Sequence, residues 1–196
     1  IYETKSSLSK SIEDTWANGE LVLDSENTTY SYGSLQRILR YGLKNIGYEK
    51  IVPMNHILVL GVAGGSIIKT LVDENNYKGK ITGVEIDPKI IKIANTYFKL
   101  DEVKNLEIII GDAFEFVLKT KTKYDLIIID IFQDTTMPNF LFEPFFTSRI
   151  CFLLKSHGFV LFNTMILNET QNIRNKKYVS EFYENQFQIR KIPRVE

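Results

Sequence analysis

A single cysteine, Cys151, in 196 residues leaves no internal disulfide, and its place in the apolar run ICFLL marks it as core rather than nucleophile. An excess of one charge is missing too. Lys plus Arg equals Asp plus Glu at 24 each, so no net field draws the chain to nucleic acid or to an anionic membrane surface. No apolar run reaches about 18 residues, and no spanning helix is expected. The two histidines, His56 and His157, flank strands in turns and make no metal-ligand spacing with the cysteine, so no metal site is expected. Nothing before Leu21 resembles a secretory signal, which makes a cytoplasmic protein the default expectation. At 44% hydrophobic and 24% charged, the chain suits one globular body with a small appendage.

Residues 57–87, ILVLGVAGGSIIKTLVDENNYKGKITGVEID, have the order of a nucleotide-binding βαβ half. The apolar run from Ile57 to Leu60 reads as a buried parallel strand, apolar on both faces. It feeds a turn of small residues, Gly61, Ala63, Gly64 and Gly65, where backbone can approach a ligand and the first amides of the next helix can face it. That helix, from about Ser66, carries Ile67, Ile68, Leu71 and Val72 on one side. A second strand follows at 81–84, with Glu85 and Asp87 at its carboxyl end, where an acid can take the hydroxyls of a ribose. A dinucleotide turn wants glycine at its first, third and sixth positions, which here are Gly61, Ala63 and Ser66. Small residues at the first, third and fifth, here Gly61, Ala63 and Gly65, suit a methyltransferase-type turn better.

The fold class that follows is α/β: a doubly wound, mostly parallel Rossmann-like methyltransferase sheet with a small N-terminal β-containing cap. The cap is placed at 1–50 and the nucleotide-binding body at 51–196. In the cap, a hairpin is predicted over 12–16 and 20–23 around Asn18-Gly19, with Trp16 covering a core edge. Ser31 caps a helix bearing Leu35, Ile38, Leu39 and Leu43 and ending at Gly47.

Beyond the second strand, Pro88 opens a helix that turns Ile90, Ile91, Ala94, Tyr97 and Phe98 inward, so Asp87 serves either the ribose or as a helix cap. A third strand at 106–110 ends in Gly111-Asp112-Ala113. Asp112 can accept a bond from an adenine amino group, or cap the helix that follows. The fourth strand, YDLIIID, ends on Asp130, at the edge where such sheets present ligands. Then come a polar loop with Asp134, an aromatic-rich helix to about Leu154, a strand at 159–163, a helix covering Ile173, Val179 and Phe182, and a sixth strand at 187–192. No segment is left for the last antiparallel strand of a methyltransferase sheet.

With these pieces placed, the chain resembles the spermidine synthase family, the aminopropyltransferase branch of the S-adenosylmethionine methyltransferase fold. The likeness runs through YETKSS, LVLD, YSYGSL, ILVLGVAGG, VEID, GDAFEFV, YDLIIID and LLKSHGFVLF. It implies that Glu85 holds the ribose, that Asp112 meets the adenine amino group, and that Ile86 and Ala113 line the adenine plane. Asp130 matches the aspartate that helps deprotonate the attacking amine. Tyr32 matches a tyrosine near that amine, or packs under the cap. A homodimer formed through the cap is implied as well.

Three positions depart from the family pattern. Gly64 stands where an aspartate holds the amine of the donor, the glutamine after LVLD is not found, and Asp130 and Asp134 are separated by three residues instead of two. Polyamines carry two or more positive charges, which need acids when buried. The first expectation is therefore a transferase that moves the methyl group of S-adenosylmethionine to a small acceptor, with Asp130 orienting or deprotonating it. The alternative is an aminopropyltransferase using decarboxylated S-adenosylmethionine, with Asp130 as base, Asp134 replacing a lost anchor and an amine as acceptor. A pocket that binds nucleotide without chemistry is the third reading, and a dinucleotide oxidoreductase a distant fourth.

Overall fold

The computed structural model describes residues 2–4, 12–17, 20–25, 28–31, 34–132, 136–182 and 187–192, with side chains from residue 37 onward. Four strands come first: β1 (Tyr2–Thr4), β2 (Ile12–Ala17), β3 (Glu20–Ser25) and β4 (Thr28–Ser31). They pair antiparallel in sequence order, so the expected hairpin is the centre of a four-stranded sheet. Ser31 belongs to β4 and does not cap a helix, since α1 (Ser34–Ile46) begins three residues later. Tyr32 and the Asn18-Gly19 turn lie outside the described residues, and Trp16 lies in β2 opposite Leu21, its side chain outside what is described.

A short helix, α2 (Tyr48–Ile51), leads into β5 (His56–Leu60). After the small-residue turn, α3 (Ser66–Lys69) runs directly into a wider π-type turn, Thr70–Glu74. Next come β6 (Lys80–Glu85), α4 (Pro88–Phe98), β7 (Leu106–Ile110), α5 (Ala113–Lys119) and β8 (Tyr124–Ile129). A 3-10 turn at Asn139–Phe142 precedes α6 (Pro144–Leu153), which passes into β9 (Leu154–Phe162), and α7 (Glu169–Ser180) follows.

The second sheet is parallel throughout, with strand order β7-β6-β5-β8-β9. Its central strands alternate between two apolar layers. Ile57 and Val59 of β5 with Leu126 and Ile128 of β8 face Leu39 and Leu43 of α1, Ile67 and Ile68 of α3 and Ala94 of α4. Leu58, Leu60, Ile127 and Ile129 face Val117 of α5 and Phe146, Ile150 and Leu153 of α6. Burial on both faces is what a parallel sheet between helix layers requires, and it explains why these strands read as unbroken apolar runs. α1 comes so close to β9 that a Cβ on Gly42 would lie 2.6 Å from a methyl of Leu161.

Three further expectations change. Tyr97 is 43% exposed and Ile173 58% exposed, so neither turns inward. Residues 187–192 form no strand. That segment is irregular and is tied to the end of α1 by Arg190 Nη1, which donates to the Asn45 carbonyl at 3.0 Å. His56 opens β5 and lies within 2.9 Å of the Thr82 hydroxyl, and His157 sits inside β9 with φ of 61°, so neither occupies a simple turn.

Candidate active site

At the carboxyl edge of the parallel sheet the strands end level, each handing its next amide to a neighbour. Asp130 N–H donates to the Leu60 carbonyl at 2.9 Å, Gly61 N–H to Val84 at 3.0 Å, Gly111 N–H to Glu85 at 2.8 Å and Asn163 N–H to Ile129 at 3.0 Å. One row therefore reads Asn163, Asp130, Gly61, Glu85, Ile110. At about 4.8 Å per strand, Asp130 and Glu85 stand about 10 Å apart along the row, and Asp112 lies on the next strand's exit, two residues past Ile110.

Gly61 opens the turn at φ 86°, where a Cβ would lie 2.2 Å from the Asp130 carbonyl oxygen. Only glycine allows the two backbones this approach. Ala63 at φ 47° and Gly65 at φ 80° complete a left-handed turn, closed by Gly65 N–H donating to the Val62 carbonyl at 2.9 Å. The turn carries no charged side chain.

Glu85 is buried behind this turn. Its Oε2 accepts from Val62 N–H at 3.1 Å and Ala63 N–H at 3.0 Å, and its Oε1 accepts from Asp87 N–H at 3.1 Å. A carboxylate has about four acceptor positions, so one remains for a ribose hydroxyl, and a second hydroxyl would take the place of a turn amide. Asp87 is buried, and its Oδ1 accepts from Lys89 N–H at 2.8 Å as the cap of α4, the structural one of its two expected roles.

Asp112 is exposed and caps α5, with Oδ1 accepting from Phe114 N–H at 2.7 Å and Glu115 N–H at 3.2 Å. Oδ2 takes no part in those bonds and can accept from an amino group. Ile86, 44% exposed on the neighbouring strand end, and Ala113 at the start of α5 are apolar and able to flank a planar base. A shallow, open groove lined by Ile109, Gly111, Glu115, Phe116, Lys119 and Thr120 begins at Asp112. A buried acid under a strained turn, an exposed acid one strand away and apolar side chains between them fit an adenosyl nucleoside.

Asp130 is partly buried as a residue, yet its carboxyl is withdrawn from water, and desolvation pushes its pKa up to about 6. Asn163 opposes that shift, its Nδ2 donating to Asp130 Oδ1 at 2.9 Å. Asn163 is buried at the end of β9 and was missed as a site residue from sequence. Its signal was legible: a polar residue directly after the apolar run FVLF, as Asp130 follows LIII. Of the expected site residues, Gly61, Ala63, Gly65, Glu85 and Asp130 meet here, with Asp112 next to them along the edge. Tyr32 and Asp134 lie outside the described residues.

A parallel doubly wound sheet with a glycine turn after its central strand and an acid after the next defines the class I methyltransferase-like Rossmann fold. The structure of human methyltransferase-like protein 13 in complex with SAH superposes with a TM-score of 0.62 at 21% identity, covering 74% of this chain and 72% of that one. Spermidine synthase from Thermotoga maritima superposes at 0.70 and 22% identity, over 96% of this chain and 64% of that one. Within this fold, the chain belongs to the spermine/spermidine synthase domain family, whose model matches residues 39–192. The polyamine aminopropyltransferase of Vibrio vulnificus is 31% identical over 131 residues, 65% of this chain and 44% of the relative. The chain thus spans less than half the length of that relative.

Proposed function

We propose that this chain forms the nucleoside-binding body of an aminopropyltransferase, which moves the aminopropyl group of decarboxylated S-adenosylmethionine to a small amine. The observation that carries the reading is the row at the sheet edge, with a buried acid at Glu85 and, about 10 Å away, a desolvated acid at Asp130. The order of the two transfer reactions expected from sequence is reversed, because the matching family model is the spermine/spermidine synthase domain and the Vibrio vulnificus relative is named a polyamine aminopropyltransferase.

Glu85 takes the ribose, Ile86 and Ala113 flank the adenine, and Asp112 meets its amino group, while Gly61, Ala63 and Gly65 let backbone lie against the donor. Bound there, the donor sulfonium supplies an activated carbon, so the amine lone pair forms the new C–N bond as the C–S bond breaks and its electrons go to sulfur. Asp130 takes the proton released by the amine. A carboxyl with pKa about 6 is mostly ionised at neutral pH and more basic than an ordinary aspartate, which suits a general base. Asn163 holds Oδ1, leaving the other oxygen for the amine. By resemblance, Tyr32 and Asp134 complete the amine side, and the cap at 1–50 joins two copies into a dimer.

Methyl transfer from the intact donor is the second reading, favoured by one observation: with Gly64 in place of an acid, nothing in the turn repels the donor's own carboxylate. Calorimetric titration with the decarboxylated donor, the intact donor and the spent thioether separates them. The expected result is a preference for the decarboxylated form of about tenfold or more, about 1.4 kcal/mol. The opposite preference assigns methyl transfer, and no binding of any of the three defeats both readings.

A further inference from the structure

Arg174, on α7, belongs to none of the donor-side elements, and among the described residues it has no carboxylate partner. Its guanidinium stacks over the Phe142 ring at 3.7 Å. Nη2 donates to the Met165 carbonyl at 3.4 Å and approaches Met137 Sδ at 3.8 Å. The same two methionines meet each other, since Met165 N–H donates to Met137 Sδ at 3.4 Å. Asn175, the next residue on α7, donates its Nδ2 to the Met165 carbonyl at 3.3 Å and accepts from Arg174 Nε at 3.2 Å.

Met137 lies on the loop that follows Asp130, and Met165 is two residues past Asn163, on the loop that follows β9. The contacts of Arg174 therefore join the two loops that leave the Asp130–Asn163 pair. Burial lowers the pKa of this guanidinium, so keeping a cation here has a cost that a neutral side chain would avoid. What only arginine supplies is a planar fork of donors that reaches a carbonyl and a sulfur on different segments while stacking on an aromatic face.

We propose that Arg174 is a positioning residue: it clamps the loop after β8 to the loop after β9 and so holds Asp130 and Asn163 in register for the acceptor. The role as stated rests on the reading of Asp130 as the general base. The clamp itself is a claim about geometry and has a readout that needs no turnover.

The test compares the wild-type chain with Arg174→Ala, Arg174→Lys and Met137→Leu, the last removing the sulfur while keeping the bulk. Carbon-detected NMR follows the Asp130 carboxyl through its titration, calorimetry follows binding of the spent thioether nucleoside, and steady-state kinetics follow the amine. In Arg174→Ala the Asp130 midpoint should fall from about 6 toward the ordinary aspartate value, because parted loops admit water. kcat should fall about tenfold or more while nucleoside affinity stays within about twofold. Arg174→Lys keeps the charge but loses the fork and should resemble the alanine variant, with Met137→Leu between them and the wild type.

The clamp is overturned if the Asp130 midpoint of folded Arg174→Ala and Met137→Leu stays at the wild-type value, or if lysine restores it fully. Should Arg174→Ala fail to fold, Met137→Leu and Arg174→Lys decide. A wild-type chain that binds no adenosyl compound defeats the proposed function, yet the titration arm still decides the clamp.

Discussion

At Gly61 a single methyl group decides whether the turn can exist. Alanine there would bring a Cβ to 2.2 Å from the Asp130 carbonyl at a φ that side chains rarely adopt, so Gly61→Ala should cost about 3 kcal/mol or more in denaturant unfolding. Gly111 is the control: nothing lies within 4 Å of its Cβ position, and Gly111→Ala should change stability by less than about 0.5 kcal/mol. Asp130 makes a second prediction at this scale. Its folded pKa, about 6, lies above the ordinary aspartate value, so the folded state holds this proton more tightly than the unfolded state does. The resulting stabilisation is fully present below about pH 4 and is lost as pH rises through about 6, a change of about 3 kcal/mol. Asp130→Asn, which keeps an acceptor for Asn163 but never ionises, should therefore melt above the wild type at pH 8 and lose that advantage near pH 4. Both residues stood out in the sequence, one in a cluster of small residues and one as an acid closing an apolar run. Their contact did not, because 69 positions separate them and the chain brings them together only when β8 pairs with β5.

Among the elements, α5 shows how a short helix is held at both ends. Asp112 accepts from its first amides, and Arg149 of α6 donates to the carbonyls of Val117, Leu118 and Thr120 at its close, at 3.0 to 3.1 Å through Nη2. Both devices answer the orphan backbone groups of a helix end. Arg149→Met keeps most of the packing and removes the donors, and should lower stability by about 2 kcal/mol in chemical unfolding. The Asp112 cap was legible, since aspartate before a helical run is a local signal. The Arg149 cap was not, because its acceptors lie about 30 positions upstream on another helix. Periodicity also overreached at this scale. It turned Tyr97 inward and gave residues 187–192 a strand, although the first stays exposed and the second makes no ladder. Alternation states which side chains could share a face, whereas a strand exists only where another backbone takes its hydrogen bonds.

For the molecule as a whole, a ligand that binds only the folded chain must stabilise it. Adenosyl thioether at about a hundred times its Kd should raise the thermal midpoint by about 5–10 °C, and this rise should be largely lost in Glu85→Ala and retained in Asp130→Asn. A flat melting point in the wild type would remove the nucleoside from the account. The sequence by itself determined the α/β class, the central βαβ unit with its turn, and the candidate acids Glu85, Asp112 and Asp130, because each is written in contiguous residues: an apolar run, a cluster of small residues, a polar residue on schedule. Only the tertiary structure decided that the N-terminal strands make a four-stranded sheet, that Glu85 holds the turn amides of Val62 and Ala63, that Asn163 bonds Asp130, and that Arg174 joins the loops beyond them. These are contacts between segments distant in the chain, and local propensity carries no term for which of several compatible partners a buried polar group will meet.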